Sequence, residues 1–201
     1  MFSKYKYHFL LHFIIFLWGF TGILGKLIHL DAPYIVWYRV GIASFVILLY
    51  LLFVKSKLSI DKKHLGKIAL VGLVVAAHWV TFYTSIQWST ASLGILCLST
   101  TTLHVAWLEP LIMKKKFSWV EFSLGLIVVA GIYFVSGDFS SQEYWAVLMG
   151  LISAFLAGFF AVSNAKLVED IPSTHISMYE LAIGFVGLTI YLAMTNNINT
   201  S

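Results

Sequence analysis

Ionisable side chains inside long apolar runs are the groups of this sequence most able to do chemistry. Lys26, Arg39, Glu109 and Glu180 all lie within such runs. A charge inside a bilayer is costly, so each is by default a candidate for a gate or a coupling site. Arg39 follows Pro33 by six residues, which places it roughly 9 Å deep along a helix. Two interpretations are open: Arg39 helps form an outer gate or attracts an anionic group, or it lifts its charged head to the interface.

The two carboxylates are expected near one membrane surface. Glu109 precedes Lys114 by five residues. It could therefore pair with the lysines at 114–116, or it could bind and release a proton. Glu180 is estimated at about 9 Å from the same surface, whereas Arg39 lies near the other surface. The two positions then differ by about 12 Å along the membrane normal, so no direct ion pair between Arg39 and Glu180 is expected.

Aromatic, imidazole and hydroxyl groups are expected at mid-depth. The same estimate places Trp18, His78 and His104 near the membrane midplane, with Thr101 close to His104. Such groups suit a cavity for a polar solute, and these four residues are our candidates for a substrate pathway. Alternatively, each histidine hydrogen-bonds a neighbouring helix.

The sequence lacks the residue patterns of a metal site, a cofactor site or an enzyme. His8 and His12 have the i, i+4 spacing of one helix face, but no third ligand lies nearby in the sequence. Cys97 is the one cysteine, which excludes an intrachain disulfide and a CxxC site. No HExxH, GxSxG or histidine-box pattern occurs. We therefore predict no metal, no cofactor and no catalytic residue.

The composition is that of a polytopic membrane protein. Apolar residues make up 60% of the 201 residues and charged residues 11%, whereas soluble domains carry about 25% charged residues. The lysines separate apolar runs instead of following one exposed face, which argues against nucleic-acid binding. We predict an all-α protein with seven transmembrane helices. The predicted spans are residues 8–28, 33–54, 68–88, 92–113, 119–137, 144–166 and 175–195.

The positions of the lysines predict the orientation of these spans. Lys114, Lys115 and Lys116 separate the fourth and fifth spans, and basic loops stay on the cytoplasmic side. With a cytoplasmic N-terminus, eleven of the thirteen basic residues fall on that side. The remaining two, Lys26 and Arg39, lie within spans. The sequence therefore predicts a multi-pass protein of the inner (cell) membrane whose N-terminus is cytoplasmic.

A weak internal repeat relates the first two spans to the last two. Lys26, Pro33 and Arg39 correspond, at offsets of 139 to 141 residues, to Lys166, Pro172 and Glu180. Five spans separate the starts of the two copies, an odd number, so the copies are expected to run in opposite directions. Inverted repeats of this kind are typical of secondary transporters.

Several of these segments resemble the EamA family of the drug/metabolite transporter superfamily. The resemblance rests on Leu17-Trp18-Gly19 followed by Lys26, on Arg39 early in the second span, and on the stretch after Thr90. That stretch runs from Thr90-Ala91-Ser92 through Glu109-Pro110 to Glu121 and Leu124-Gly125. The resemblance covers about residues 8–195.

The resemblance implies a ten-helix permease built from two inverted five-helix halves. Residues 1–138 would form the first repeat, with helices 1–5, and residues 139–201 the start of the second, with helices 6–7. Helices 8–10 have no counterpart, which predicts either a fragment or a truncated product. The partners of such a permease would be the lipid bilayer, a small-molecule substrate and protons as a coupling ion. Two chains could complete one another as a homodimer.

The resemblance also implies the function. It predicts alternating-access transport that exports a small metabolite such as an amino acid or a related solute. The alternative is a truncated half-protein that does not transport and has a scaffold or regulatory role in the membrane.

Overall fold

The chain folds as a bundle of α-helices. The computed structural model describes residues 2–135 and 140–195, and the side chains of all of these except residues 2–4 and 135. The helices are α1 (Phe2–Leu27), α2 (Ala32–Phe53), α3 (Lys62–Trp88), α4 (Ala91–Leu98), α5 (Thr101–Met113), α6 (Trp119–Val135), α7 (Ser141–Leu167) and α8 (Ser173–Met194). None of the described residues lies in a β-strand. The predicted all-α membrane fold is confirmed.

Each predicted span corresponds to a helix or to a pair of helices. Within the described residues, six segments are long and apolar enough to cross a membrane: Tyr5–Leu27, α2, α3, α4 together with α5, α7 and α8. The apolar part of α6, Trp119–Phe134, is shorter. Residues 136–137, predicted as the end of the fifth span, and the predicted repeat boundary at 138/139 lie outside the described residues.

Polar residues at the helix ends explain where the helices start and stop. Asp61 accepts a hydrogen bond from the backbone N–H of Lys63, and Thr90 accepts one from that of Leu93, so each caps the first turn of its helix. Ser140 and Glu143 form a reciprocal capping box at the start of α7. These caps satisfy backbone donors that have no partner inside the helix.

The centre of the bundle is the packing of α3 against α7. Helix α8 packs against both α2 and α3, α4 and α5 pack against α7, and α6 packs against α5. Helix α1 contacts α3 and α4. We call the end that holds the loops 54–61, 114–118 and 168–172 the lysine-rich end, and the end that holds the loops 28–31 and 89–90 the opposite end.

Candidate functional site

The fourth predicted span is distorted near its middle by a turn at Ser99 and Thr100, both of which keep right-handed helical backbone angles. Four consecutive hydroxyls bond backbone carbonyls three residues earlier: Ser99 to Leu96 at 2.5 Å, Thr100 to Cys97 at 2.7 Å, Thr101 to Leu98 at 2.6 Å and Thr102 to Ser99 at 3.1 Å. Such back-bonding competes with regular helix bonds and bends helices. Irregular backbone at membrane depth occurs where protein or a water-filled cavity surrounds it.

A buried hydrogen-bonded pair joins α3 to α7. Nδ1 of His78 lies 2.9 Å from the carbonyl oxygen of Ser153 and 2.9 Å from its hydroxyl oxygen. Because a carbonyl oxygen only accepts, Nδ1 donates to it. The Ser153 hydroxyl in turn donates to the backbone oxygen of His78 at 3.1 Å. Both side chains are buried, so His78 is held by a neighbouring helix, the second of the two interpretations of the sequence.

The other pathway candidates occupy separate places. His104 packs edge-on against Phe155 of α7, and its Nδ1 is buried without a hydrogen-bond partner. Thr101 and Glu109 line one crevice of about 570 Å³ between α5 and α6. Trp18 is 66% exposed on α1, and no ring contact among the described residues joins it to either histidine. Trp18, His78 and His104 therefore do not meet in one aromatic cage.

Glu180 is a buried carboxyl group on α8. Its side chain is only 3% exposed. Oε2 accepts a hydrogen bond of 3.0 Å from the Asn164 amide of α7, whereas Oε1 is buried without a partner. None of the ion pairs within the described residues includes Glu180. No ion pair between Glu180 and Arg39 was expected, and none is found among the described residues. Each side chain has its own partners.

Arg39 lies against the face of α3. Its guanidinium carbon is 3.8 Å from the centroid of the Trp79 ring, and Nη1 donates a hydrogen bond of 2.7 Å to the Tyr83 hydroxyl. Both contacts are with α3, the neighbouring helix. The stacking is a cation–π contact, worth about 0.5–2 kcal/mol depending on how far the site is desolvated.

The remaining gate and coupling candidates, Lys26 and Glu109, lie near opposite ends of the bundle. Nζ of Lys26 donates to the backbone oxygens of Ile86, Gln87 and Ser89 at 3.3, 3.1 and 2.6 Å. Lys26 therefore attaches the end of α1 to the end of α3. Oε1 of Glu109 lies 2.5 Å from Nζ of Lys115. Glu109 therefore pairs with one of the lysines at 114–116.

Sequence reasoning did not single out Ser153 or Asn164, the partners of His78 and Glu180. Both lie inside the apolar run of α7. A polar residue in such a run is a weak signal by itself, because serine and asparagine often bond their own helix or a neighbour without further role. Ser153 is 75 residues from His78 along the sequence, and Asn164 is 16 residues from Glu180. Only the packing of α7 on α3 and α8 brings each of them to its partner.

Comparison with known proteins identifies the family. The sequence model described as the EamA-like transporter family matches residues 6–137, which is more than half of the chain. No curated protein and no solved structure matches the chain. This chain, a multi-pass membrane protein with ionisable groups held inside its bundle, belongs to the EamA-like transporter family of the drug/metabolite transporter superfamily.

Proposed function

We propose that the chain acts as a secondary permease of the EamA type, which exports a small metabolite, such as an amino acid or a related solute, by alternating access. One observation carries this proposal: ionisable side chains of three spans each contact a neighbouring helix. His78 bonds Ser153, Glu180 bonds Asn164, and Arg39 contacts α3. Buried polar groups in membrane helices are costly, and in transporters they line or control the solute path.

The broken fourth span supports the same proposal. Discontinuous helices near the midplane expose backbone groups and helix ends to a solute or an ion. Here the turn at Ser99 and Thr100 separates the end of α4 from the start of α5. Both helices pack against α7. We propose that His78 of α3, Thr101 and His104 of α5, and Trp18 of α1 contribute to the solute path at separate places.

Two helix pairs support an inverted repeat. Helices α1 and α2 have 26 and 22 residues, and helices α7 and α8 have 27 and 22. Arg39 is the eighth residue of α2 and Glu180 the eighth residue of α8. We propose that residues 1–138 form one repeat and residues 139–201 the start of another, as an inverted repeat requires.

Protons are the proposed coupling ion, and Glu180 the proposed proton site. A buried carboxyl group with one unpartnered oxygen is stable when neutral and costly when charged. Loss of the hydrogen bond to Asn164 and of the packing on α3 would expose it to water and release its proton. Lys26 and Arg39 are the proposed gate residues at the opposite end, and Glu109 the one at the lysine-rich end.

Proteoliposomes that contain the purified chain and a pH-sensitive dye test this proposal. Solutes from an amino-acid panel should drive proton movement in the wild type. Glu180→Gln should abolish it, whereas the matched control Glu169→Gln should not, because Glu169 is exposed and pairs with Lys166. Solute flux without proton movement would reject the coupling and keep the permease; no flux of any panel solute would reject export of amino-acid-like solutes.

Cysteine labelling tests the proposed orientation in the inner membrane. Cys97, the one native cysteine, is fully buried. We expect a membrane-impermeant maleimide to label Asp31→Cys in intact cells and to label Ser59→Cys only after the membrane is opened. Both positions are exposed, at the opposite end and the lysine-rich end respectively. The reverse pattern would place the N-terminus outside.

The alternative function is a membrane half-protein with a scaffold or regulatory role. The exposure of α1 favours it: among the described side chains and glycines of α1, only Gly22 and Gly25 are buried. A second copy could cover this face as a homodimer. The intact mass of the native protein, its oligomeric state and its transport activity distinguish the half-protein from the permease. A monomer of 22.6 kDa that moves no solute would support the half-protein.

A further inference from the structure

Two contacts fix the plane and direction of the Arg39 guanidinium. The Trp79 ring lies under it at 3.8 Å from the guanidinium carbon to the ring centroid, and the Tyr83 hydroxyl accepts from Nη1 at 2.7 Å. Trp79 and Tyr83 are four residues apart on α3, so they share one helix face. Tyr83 is itself only 3% exposed. The guanidinium is therefore held against the protein, and it does not extend freely toward lipid headgroups.

The other edge of the guanidinium has no partner. Its hydrogen bond to Tyr83 uses Nη1, and Nε and Nη2 make no hydrogen bond to any described residue. No carboxylate within residues 2–135 and 140–195 forms an ion pair with Arg39. The side chain is only partly buried. A positive charge at this depth without a counter-charge is costly, and a bound anion would relieve the cost.

The described charged side chains at the end of the bundle that holds Arg39 are of both signs. Lys26 lies at the same end of the bundle, on carbonyl groups at the end of α3. The described acidic side chains at this end include Asp31, which is exposed, and Glu143, which bonds Ser140. Neither forms an ion pair with a base among the described residues. No described carboxylate therefore neutralises Arg39 through an ion pair.

We infer that Arg39, held by Trp79 and Tyr83, is the site that recognises the carboxylate of the transported solute. The free Nε and Nη2 donors form a planar fork, which matches the two oxygens of a carboxylate. A lysine ammonium is a point charge without this geometry. This inference rests on the proposed transport function, and it adds that Arg39 is the residue that binds the carboxylate of the solute.

Helix α1 contributes by keeping Tyr83 in place. A Cβ atom at Gly25 would lie 2.5 Å from two ring atoms of Tyr83, so the α1 backbone packs directly on the ring. Tyr83 thus has α1 on one side and Arg39 at its hydroxyl. It is a positioning residue for Arg39, and it makes no proposed contact with the solute.

Ligand-induced thermal stabilisation of the purified full chain tests the inference. The probes are a panel of small carboxylic acids, each paired with its amide at equal ionic strength, and a third set of phosphate monoesters. We expect at least one carboxylate to stabilise the wild type and its amide not to do so. Arg39→Lys should weaken that binding by about 10- to 100-fold, since a hydrogen bond to a charged group is worth about 1.5–3 kcal/mol.

Two tyrosine variants separate recognition from folding. Tyr83→Phe should weaken carboxylate binding several-fold and still fold, with an unliganded melting temperature lowered only by the loss of one hydrogen bond. The matched control Tyr38→Phe should leave binding unchanged, because Tyr38 is 44% exposed and its hydroxyl bonds no described residue. If Arg39→Lys fails to fold, the Tyr83→Phe result decides.

Several outcomes would overturn the inference. They are equal stabilisation by every carboxylate and its amide, stronger stabilisation by phosphate monoesters than by carboxylates, or equal carboxylate affinity in Arg39→Lys and the wild type. Proteoliposome flux distinguishes the two proposals. Flux of an uncharged solute, unaffected by Arg39→Lys, would reject the carboxylate site and keep the permease. Carboxylate binding that depends on Arg39, without flux, would keep the site and reject the permease.

Discussion

Gly72 lies where α3 meets the backbone of α8, and replacing it tests this packing directly. A Cβ atom there would lie 2.6 Å from the backbone oxygen of Glu180 and 2.9 Å from its Cα. Ordinary contacts of a Cβ begin near 3.4 Å, so Gly72→Ala requires the two helices to separate locally by about 0.8 Å. Backbone atoms cannot rotate away as a side chain can.

The expected cost of Gly72→Ala is about 1–3 kcal/mol, the usual range for overpacking a tight contact. Alanine is the better helix former, by about 1 kcal/mol, which offsets part of that cost. We therefore expect a net loss of stability and a melting temperature several degrees lower. Thermal unfolding in detergent, followed by size-exclusion chromatography of the remaining folded protein, measures it.

Gly66→Ala is the matched control on the same helix. A Cβ atom at Gly66 would meet nothing within 4 Å. The helix propensity of alanine then acts alone, and stability should stay equal or rise by up to about 1 kcal/mol. Equal melting temperatures for the two variants would refute the reasoning, because they would show that α8 does not pack on Gly72 as described.

Three further predictions concern single contacts. Ser153→Ala should cost about 1 kcal/mol, measured as a lower melting temperature, because a buried bond to His78 is lost. Lys26→Met should speed amide hydrogen exchange in α1, since its attachment to the end of α3 is removed. The hydrogen bond from the backbone of Lys63 lowers the pKa of Asp61 below 3.8. Its stabilisation is therefore present above about pH 4 and lost as pH falls through the lowered pKa. Asp61→Asn keeps a capping acceptor, so melting curves from about pH 3 to 6 should show less acid destabilisation than in the wild type.

The helices could be predicted from the sequence because the signal for them is local. Every predicted span falls on a helix within the described residues, since about 20 apolar residues in succession have few other stable forms in a bilayer. The break at Ser99 and Thr100 was not predicted. Its signal is the run of four hydroxyl residues 99–102, of which Thr101 was expected only to contact a solute.

The partners of the candidate residues could not be predicted in the same way. Depth along a helix follows from residue number, which is why Arg39 and Glu180 were expected to remain apart. The face that a residue presents follows from how its helix is rotated, and packing between distant segments sets that rotation. His78 and Trp79 are adjacent in the sequence, yet His78 bonds α7 and Trp79 supports Arg39 of α2.

One stripe of α3 connects the two ends of the bundle. Gly72, Trp79 and Tyr83 are spaced by seven and four residues, so they lie on one face of the helix over about 16 Å. Near the lysine-rich end this face meets Glu180, and near the opposite end it meets Arg39. A rigid α3 that is displaced at Gly72 would also move the ring under Arg39. We therefore expect Gly72→Ala to weaken carboxylate binding as well as stability, whereas unchanged affinity in a less stable variant would show that α8 alone gives way.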